Sequence, residues 1–292
     1  MNARHVTSCL LFVLIAAIIG CDAGQPIESQ PAPPIVDAAP TVSYDDVRLA
    51  YNARVDQLTE IYSRGVVELK WRDEAGKQHV EPQVDLDMWI NLPRHTSFRL
   101  EKLGEVLLWA GSDAERFWLF DMLEAPTALV VGDHASRGAG DESLRIAPLL
   151  VLDMMGLAHL PDRAGVAKPV TMVDDSWRVE TVTDERHLVI YLDAETQRPR
   201  AVELLGDDGQ IRARSIISRE ARLEIRGVIS LNQPFVPSLI DIDVDDGAMS
   251  MKIALGEPTA DGIESELNVV FDRNRLAQSL RPDEIVEIVP AP

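Results

Sequence analysis

Cysteine is almost missing from this 292-residue chain: there are two, Cys9 and Cys21, both close to the N-terminus. A disulfide framework or a thiolate metal cluster in the rest of the sequence is thereby excluded. Histidine is scarce as well. His79, His95, His134, His159 and His187 stand alone, with no second His three or four residues away, so no metal-binding pair can be read. The chain also lacks a G-x-S-x-G elbow, an S-x-x-K and an H-E-x-x-H, patterns that position a nucleophile or a zinc ion. Positive charge is short too: 28 Lys and Arg against 48 Asp and Glu leave a net charge of −20. Such a surface repels nucleic-acid phosphate and anionic headgroups. These absences lead to the expectation of no enzyme, no metal, no cofactor and no nucleic-acid partner.

Long apolar runs are missing apart from one, Leu10 to Ile19. It is about half of the roughly 20 residues a membrane-spanning helix needs. With Arg4 before it and Gly20-Cys21-Asp22 after it, the layout is that of an export signal. Ile18-Ile19-Gly20-Cys21 resembles a bacterial lipobox, which implies cleavage before Cys21 and a lipid on that Cys. Residues 1–20 are thus read as a signal peptide, and 21–42 as the lipidated Cys21 and a tether with five prolines. At about 3.1 Å per residue, such a tether would hold a domain roughly 50 to 60 Å from the bilayer. No second Pro-rich linker follows, and residues 43–292 read as one domain.

That domain opens at Ser43-Tyr44-Asp45-Asp46, a capping-box-like start with two carboxylates at the positive helix end. Val47, Tyr51, Val55, Leu58 and Tyr62 follow at helical spacing to Gly65, which predicts an amphipathic helix of five turns. The period then shifts to two. Strands are expected at 66–72, up to Leu92, and at 97–103, 105–111, 127–132, 177–182, 187–192, 201–205, 211–218, 221–226, 239–244 and 249–255, with hairpin turns at Asp208-Gly209 and Asp246-Gly247. One interruption, the loop 132–141, leads into Pro148 and Leu149-Leu150-Val151-Leu152-Asp153-Met154-Met155. This second helix is apolar nearly all round, so it must be buried or cover an apolar hollow.

Three chemical look-alikes dissolve on inspection. Gly138-Ala-Gly140-Asp-Glu-Ser143 lacks the third glycine and the parallel unit of a dinucleotide loop, and its acids would repel pyrophosphate. Asp241-Ile-Asp243-Val-Asp245-Asp246-Gly247 has Asp where a calcium loop needs its Gly, and Lys252 where it needs Glu; alternation makes it a strand and a turn. In Leu107-Leu-Trp109-Ala-Gly-Ser112-Asp113-Ala-Glu-Arg116-Phe-Trp118-Leu-Phe120-Asp121, the Ser-Asp pair falls in the polar loop of a hairpin. Both faces of that hairpin are apolar, so something must cover each side.

The order of these elements resembles the bacterial lipoprotein-sorting superfamily of LolA and LolB, and a set of LolA-like lipoproteins. Lipobox, tether, capped helix, strands, VLLWAGSDAERFWLFD, the helix APLLVLDMMGL and YLDAETQRPRAVELLGDDGQIRARSI carry the resemblance over most of residues 43–271. It implies a mainly antiparallel α+β fold, a curved incomplete β-barrel (half-barrel) with helices lidding its concave face. The number of consecutive antiparallel strands and the two apolar helices point to the same shape. The resemblance also implies that the hollow accepts acyl chains. A ligand-binding lining of Trp89, Trp109, Trp118, Phe120, Leu150, Met154 and Met155 is expected, holding a lipid or a lipoprotein's acyl chain by burial of methylenes. The implied place is the cell envelope, anchored through Cys21 and facing the periplasm, at the outer rather than the inner membrane. The competing reading is an envelope scaffold whose core is filled.

Overall fold

The computed structural model describes residues 42–73, 76–123, 125–134, 148–162, 169–183, 186–245, 247–260 and 269–288. Residues 1–41, with the expected signal segment, Cys21 and tether, residues 135–147, into which the expected loop 132–141 runs, and Asp246 lie outside the described residues. In chain order the elements are α1 (Tyr44–Val55), β1 (Glu60–Arg72), β2 (Gln78–Asn91), β3 (His95–Lys102), β4 (Glu105–Ser112), β5 (Arg116–Asp121) and β6 (Ala128–Asp133). Then follow α2 (Pro148–Met154), β7 (Thr171–Val173), β8 (Ser176–Thr183), β9 (Arg186–Asp193), β10 (Pro199–Leu205) and β11 (Ile211–Arg222). The series closes with β12 (Phe235–Val244), β13 (Met249–Leu255), α3 (Arg273–Leu280) and β14 (Glu284–Ile288).

All fourteen strands form one sheet, ordered β14-β6-β5-β4-β3-β2-β1-β13-β12-β11-β10-β9-β8-β7. Two meanders meet where β1 pairs with β13, and every neighbouring pair is antiparallel except β14 on β6. The sheet curves but does not close, since β14 and β7 are its two edges. The half-barrel expectation is met. One reading changes in detail: 211–218 and the start of 221–226 are one strand, β11, which ends at Arg222 and has register shifts between Ile217 and Glu220. The calcium-loop look-alike is β12 and its turn, with Ile240, Ile242 and Val244 buried and Asp243 Oδ1 accepting from the Gly247 N–H at 3.0 Å.

The first helix is shorter than its spacing predicts. Ser43 caps it as expected, its Oγ accepting from the Asp46 N–H at 3.1 Å, and Val47, Tyr51 and Val55 are buried. It stops at Val55 after twelve residues, because Ile61 and Tyr62 pair with Ile90 and Trp89 of β2 and those ladder bonds override the four-residue spacing. Gly65 is therefore no helix stop. It lies mid-sheet opposite Leu255, where an added Cβ would come within 2.4 Å of the Ala254 carbonyl oxygen. Gly65→Ala is expected to cost about 2–3 kcal/mol through backbone overpacking, measured by urea unfolding.

Candidate functional site

The concave face carries the larger core. Tyr51 and Val55 of α1, Leu149, Leu152 and Met154 of α2, and Met155, Leu157 and Leu160 just after it pack against Met88, Ile90, Leu108 and Ala110 on one meander and Leu188, Ile190, Val202 and Ile240 on the other. Met154 and Met155 are each 1% exposed and Leu157 is fully buried. Each such side chain contributes about 1.5–3 kcal/mol by leaving water. The hollow is thus occupied by the chain's own helices.

What fixes those helices is a set of side-chain bonds to the backbone at the end of α2. Tyr51 Oη donates to the Gly156 carbonyl at 2.6 Å, and Arg54 Nη2 donates to the same oxygen. Ser215 Oγ donates to the Met154 carbonyl at 2.6 Å. Asn52 bonds Leu160 twice, donating to its carbonyl at 2.8 Å and accepting from its N–H at 2.9 Å. These bonds satisfy carbonyls that a helix end leaves without partners. Gly156 has φ +64°, and a Cβ there would strike Pro199 at 2.7 Å. Pro199 ends the Asp193-x-x-Thr196-x-x-Pro199 turn, in which Asp193 Oδ1 accepts from the Thr196 N–H and hydroxyl, each at 2.8 Å. Arg200 first, and Thr196 next, hold the Asp193 carboxyl far below the usual carboxylate range. α1, α2 and the β9–β10 turn therefore converge on one glycine.

The aromatic hairpin points elsewhere. Trp89, Trp109, Trp118 and Phe120 form a second core on the opposite face of the sheet, with Leu129, Val131, Val270 and Leu276. Trp89 and Trp109 stack with centroids 6.4 Å apart, and the Arg99 guanidinium lies over both rings at 5.7 and 5.4 Å. Trp109 Nε1 donates to Ser97 Oγ at 2.7 Å. The cover is α3, an element absent from the expected series, which ends at 249–255. Its signals were Asp272 as N-cap, accepting from the N–H groups of Asn274 and Arg275, and Leu276 and Leu280 one turn apart. β14 continues from it and adds to the β6 edge. Of the seven expected lining residues, the structure brings together the four aromatics on one face and Leu150, Met154 and Met155 on the other; they do not share a hollow.

Asp113 is a turn residue, as expected, whereas Ser112 is the buried last residue of β4, paired with Thr96 and Phe117, because the ladder runs one residue further than the polar loop suggests. Ser112 Oγ donates to the Arg94 carbonyl at 2.6 Å and lies 2.9 Å from Thr96 Oγ1, while Asp113 Oδ1 accepts from the N–H groups of Glu115 and Arg116 at 2.8 and 2.7 Å. Beside them an open cleft of about 570 Å³ is lined by His95, Asp113, Arg116, Phe271, Asp272 and Arg273, of mixed charge. Among the described residues no group of three His, Cys, Asp or Glu is placed to hold a metal ion. No helix among them is long and apolar enough to cross a membrane.

No protein-family model matches the sequence, and no curated protein matches it. A solved structure does: the putative outer membrane lipoprotein-sorting protein domain from Vibrio parahaemolyticus, at 11% identity and a TM-score of 0.50, over 76% of this chain and 95% of that one. The fold is LolA-like. A DUF1329 family protein from Desulfovibrio piger aligns at 12% identity and a TM-score of 0.47 over 74% of this chain and 93% of that one. A LolA superfamily protein from Nitrosomonas europaea aligns at 8% and 0.47 over 80% and 99%. At these identities the likeness is one of fold.

Two outcomes follow for this LolA-like domain. Ser112→Ala should cost about 1 kcal/mol of stability, by removing the bonds to the part-buried Arg94 carbonyl and to Thr96 Oγ1, and leave hydrolysis of a p-nitrophenyl ester at background. Asp283, at the start of β14, accepts from the Thr127 N–H at 2.8 Å and hydroxyl at 2.9 Å, and these bonds lower its pKa, the backbone bond most. Its contribution is therefore complete above the unfolded carboxyl value near 3.9 and is lost as pH falls through the lower folded value. Amide exchange along 285–288 should accelerate through that window, and Asp283→Asn should flatten the dependence.

Proposed function

We propose that this LolA-like domain is a non-catalytic, lipid-anchored envelope protein whose concave face takes up an acyl chain when α1 and α2 move aside. The observation that carries this reading is the way the hollow is closed. The sheet is continuous without the two helices, and α2 is fastened at its C-terminal end by side-chain bonds from α1 and β11. An apolar ligand could replace the helices' own apolar contacts at little net change in buried surface, leaving those few bonds as the main resistance. The proposed lining is Leu150, Met154 and Met155 with the inner sheet residues around Ala110. Methionine adapts readily to a changed neighbour. The aromatic quartet, covered by α3, serves as structure.

Anchoring through Cys21 and a place in the envelope, facing the periplasm and at the outer membrane, belong to the same proposal and rest on the sequence signal. The scaffold reading has its own support in the dense packing of Met154, Met155 and Leu157. One variant separates the two. Asn52→Ala removes both bonds to Leu160, so a lid function predicts faster uptake of a fluorescent fatty acid, with a stability loss of about 1–3 kcal/mol. A scaffold shows the same loss and no uptake in either protein. Native mass spectrometry of the chain from Asp22 onward, isolated from cells, should find an acyl-chain adduct, and its absence together with absent uptake rejects the proposal.

A further inference from the structure

The junction of α1 and α2 holds a cation that the described residues leave short of partners. Arg54 sits in the last turn of α1, with its guanidinium 5.0 Å from the centroid of the fully buried Tyr51 ring. Nη2 is used on the Gly156 carbonyl. Nε and Nη1 are buried and have no hydrogen-bond partner. The two carboxylates of the same junction are engaged by others: Asp153 by Arg186 at 2.9 Å, and Asp56 by His159 at 2.8 Å. A guanidinium cannot shed its charge, so burial leaves it needing both acceptors and a counter-charge. What sets Arg54 apart from the exposed cations is that two of its guanidinium nitrogens are buried with neither an acceptor nor a carboxylate among the described residues.

We infer that Arg54 is the head-group anchor of the acyl site, and that the ligand is a single-chain lipid with an anionic head, a carboxylate or a phosphate monoester. This rests on the proposed function, since it presumes that the concave face admits a chain. The geometry suits the assignment. A head oxygen within reach of Nε or Nη1 supplies the missing acceptor and the missing charge together, as a charge-assisted bond. The alkyl tail then runs from Arg54 past Tyr51 into the apolar core that Tyr51 shares with Met154 and Met155. Moving α2 aside frees Nη2 from the Gly156 carbonyl, which gives the anion a further donor at the moment the chain enters. Neutral or esterified acyl chains can offer an acceptor but no counter-charge, so their bond is not charge-assisted.

The test compares heads on one tail. Residues from Ala39 onward form a compact unit with its own cores, so the chain from Asp22 onward is used. Displacement of the neutral apolar dye N-phenyl-1-naphthylamine is followed with dodecanoate, dodecyl phosphate, 1-dodecanol and methyl dodecanoate. At least one anion should bind about tenfold or more tightly than both neutral compounds, the scale of a hydrogen bond to a charged group. Whether carboxylate or phosphate does so identifies the head. Arg54→Gln should abolish the preference, read as the ratio of anion to neutral binding, because losing the bond to the Gly156 carbonyl eases entry of all four compounds alike, and Arg54→Lys should retain part of it. Equal binding of all four by the parent protein, which needs no variant to fold, overturns the anchor while leaving the acyl site standing. An anion preference that survives Arg54→Gln in a folded protein also overturns it. If no compound displaces the dye, the acyl site and its anchor both fall.

Discussion

A sheet that is apolar on both faces must be covered twice, and most of this structure follows from that constraint. Strands β2 to β5 alternate between Met88, Ile90, Leu108 and Ala110 on one side and Trp89, Trp109, Trp118 and Phe120 on the other. Neither set can face water without losing roughly 25 cal/mol per Å². α1 and α2 cover the first, α3 covers the second, and β14 fastens α3 by extending the sheet at β6. The two covers differ in kind. The outer one is carried by a segment tied into the sheet itself, whereas the inner one is held at its end by side chains reaching to backbone carbonyls.

That difference is where the proposed binding becomes possible. The Gly156 carbonyl takes two donors from α1, and the glycine packs against Pro199 of the β9–β10 turn. Under the proposed function, a cover held by a few such side-chain bonds opens without disturbing the strand ladder. Under the same proposal, a ligand of similar breadth replaces that burial at little net change, and a few polar groups set the balance between closed and occupied states.

Much of this was legible in the sequence, and the limits have physical causes. Period-two alternation and explicit turn residues such as Asp208-Gly209 located most strands, because both signals are local. Ser43 announced the first helix, but its end was misplaced: Leu58 and Tyr62 continue a helical spacing by coincidence, and only the β2 partner shows that Tyr62 is in a strand. The need for cover on both sides of the aromatic hairpin could be read, while the identity of the outer cover could not. α3 buries one residue of its own, Leu276, so its apolar pattern is thin. The seven expected lining residues were grouped by composition. Register then divided them, since adjacent residues in a strand such as Trp89 and Ile90 face opposite ways. Nothing local in the sequence marked Arg54, whose interest lies in partners a hundred residues away.

The account's central claim is that α1 and α2 are a movable cover and α3 a fixed one. Hydrogen–deuterium exchange of the chain from Asp22 onward, with and without saturating dodecanoate, tests it most directly. Changes concentrated in residues 44–55 and 148–160, with 273–288 unaltered, are the predicted result. No change at the two inner helices, or a change centred on α3 and β14, would contradict it.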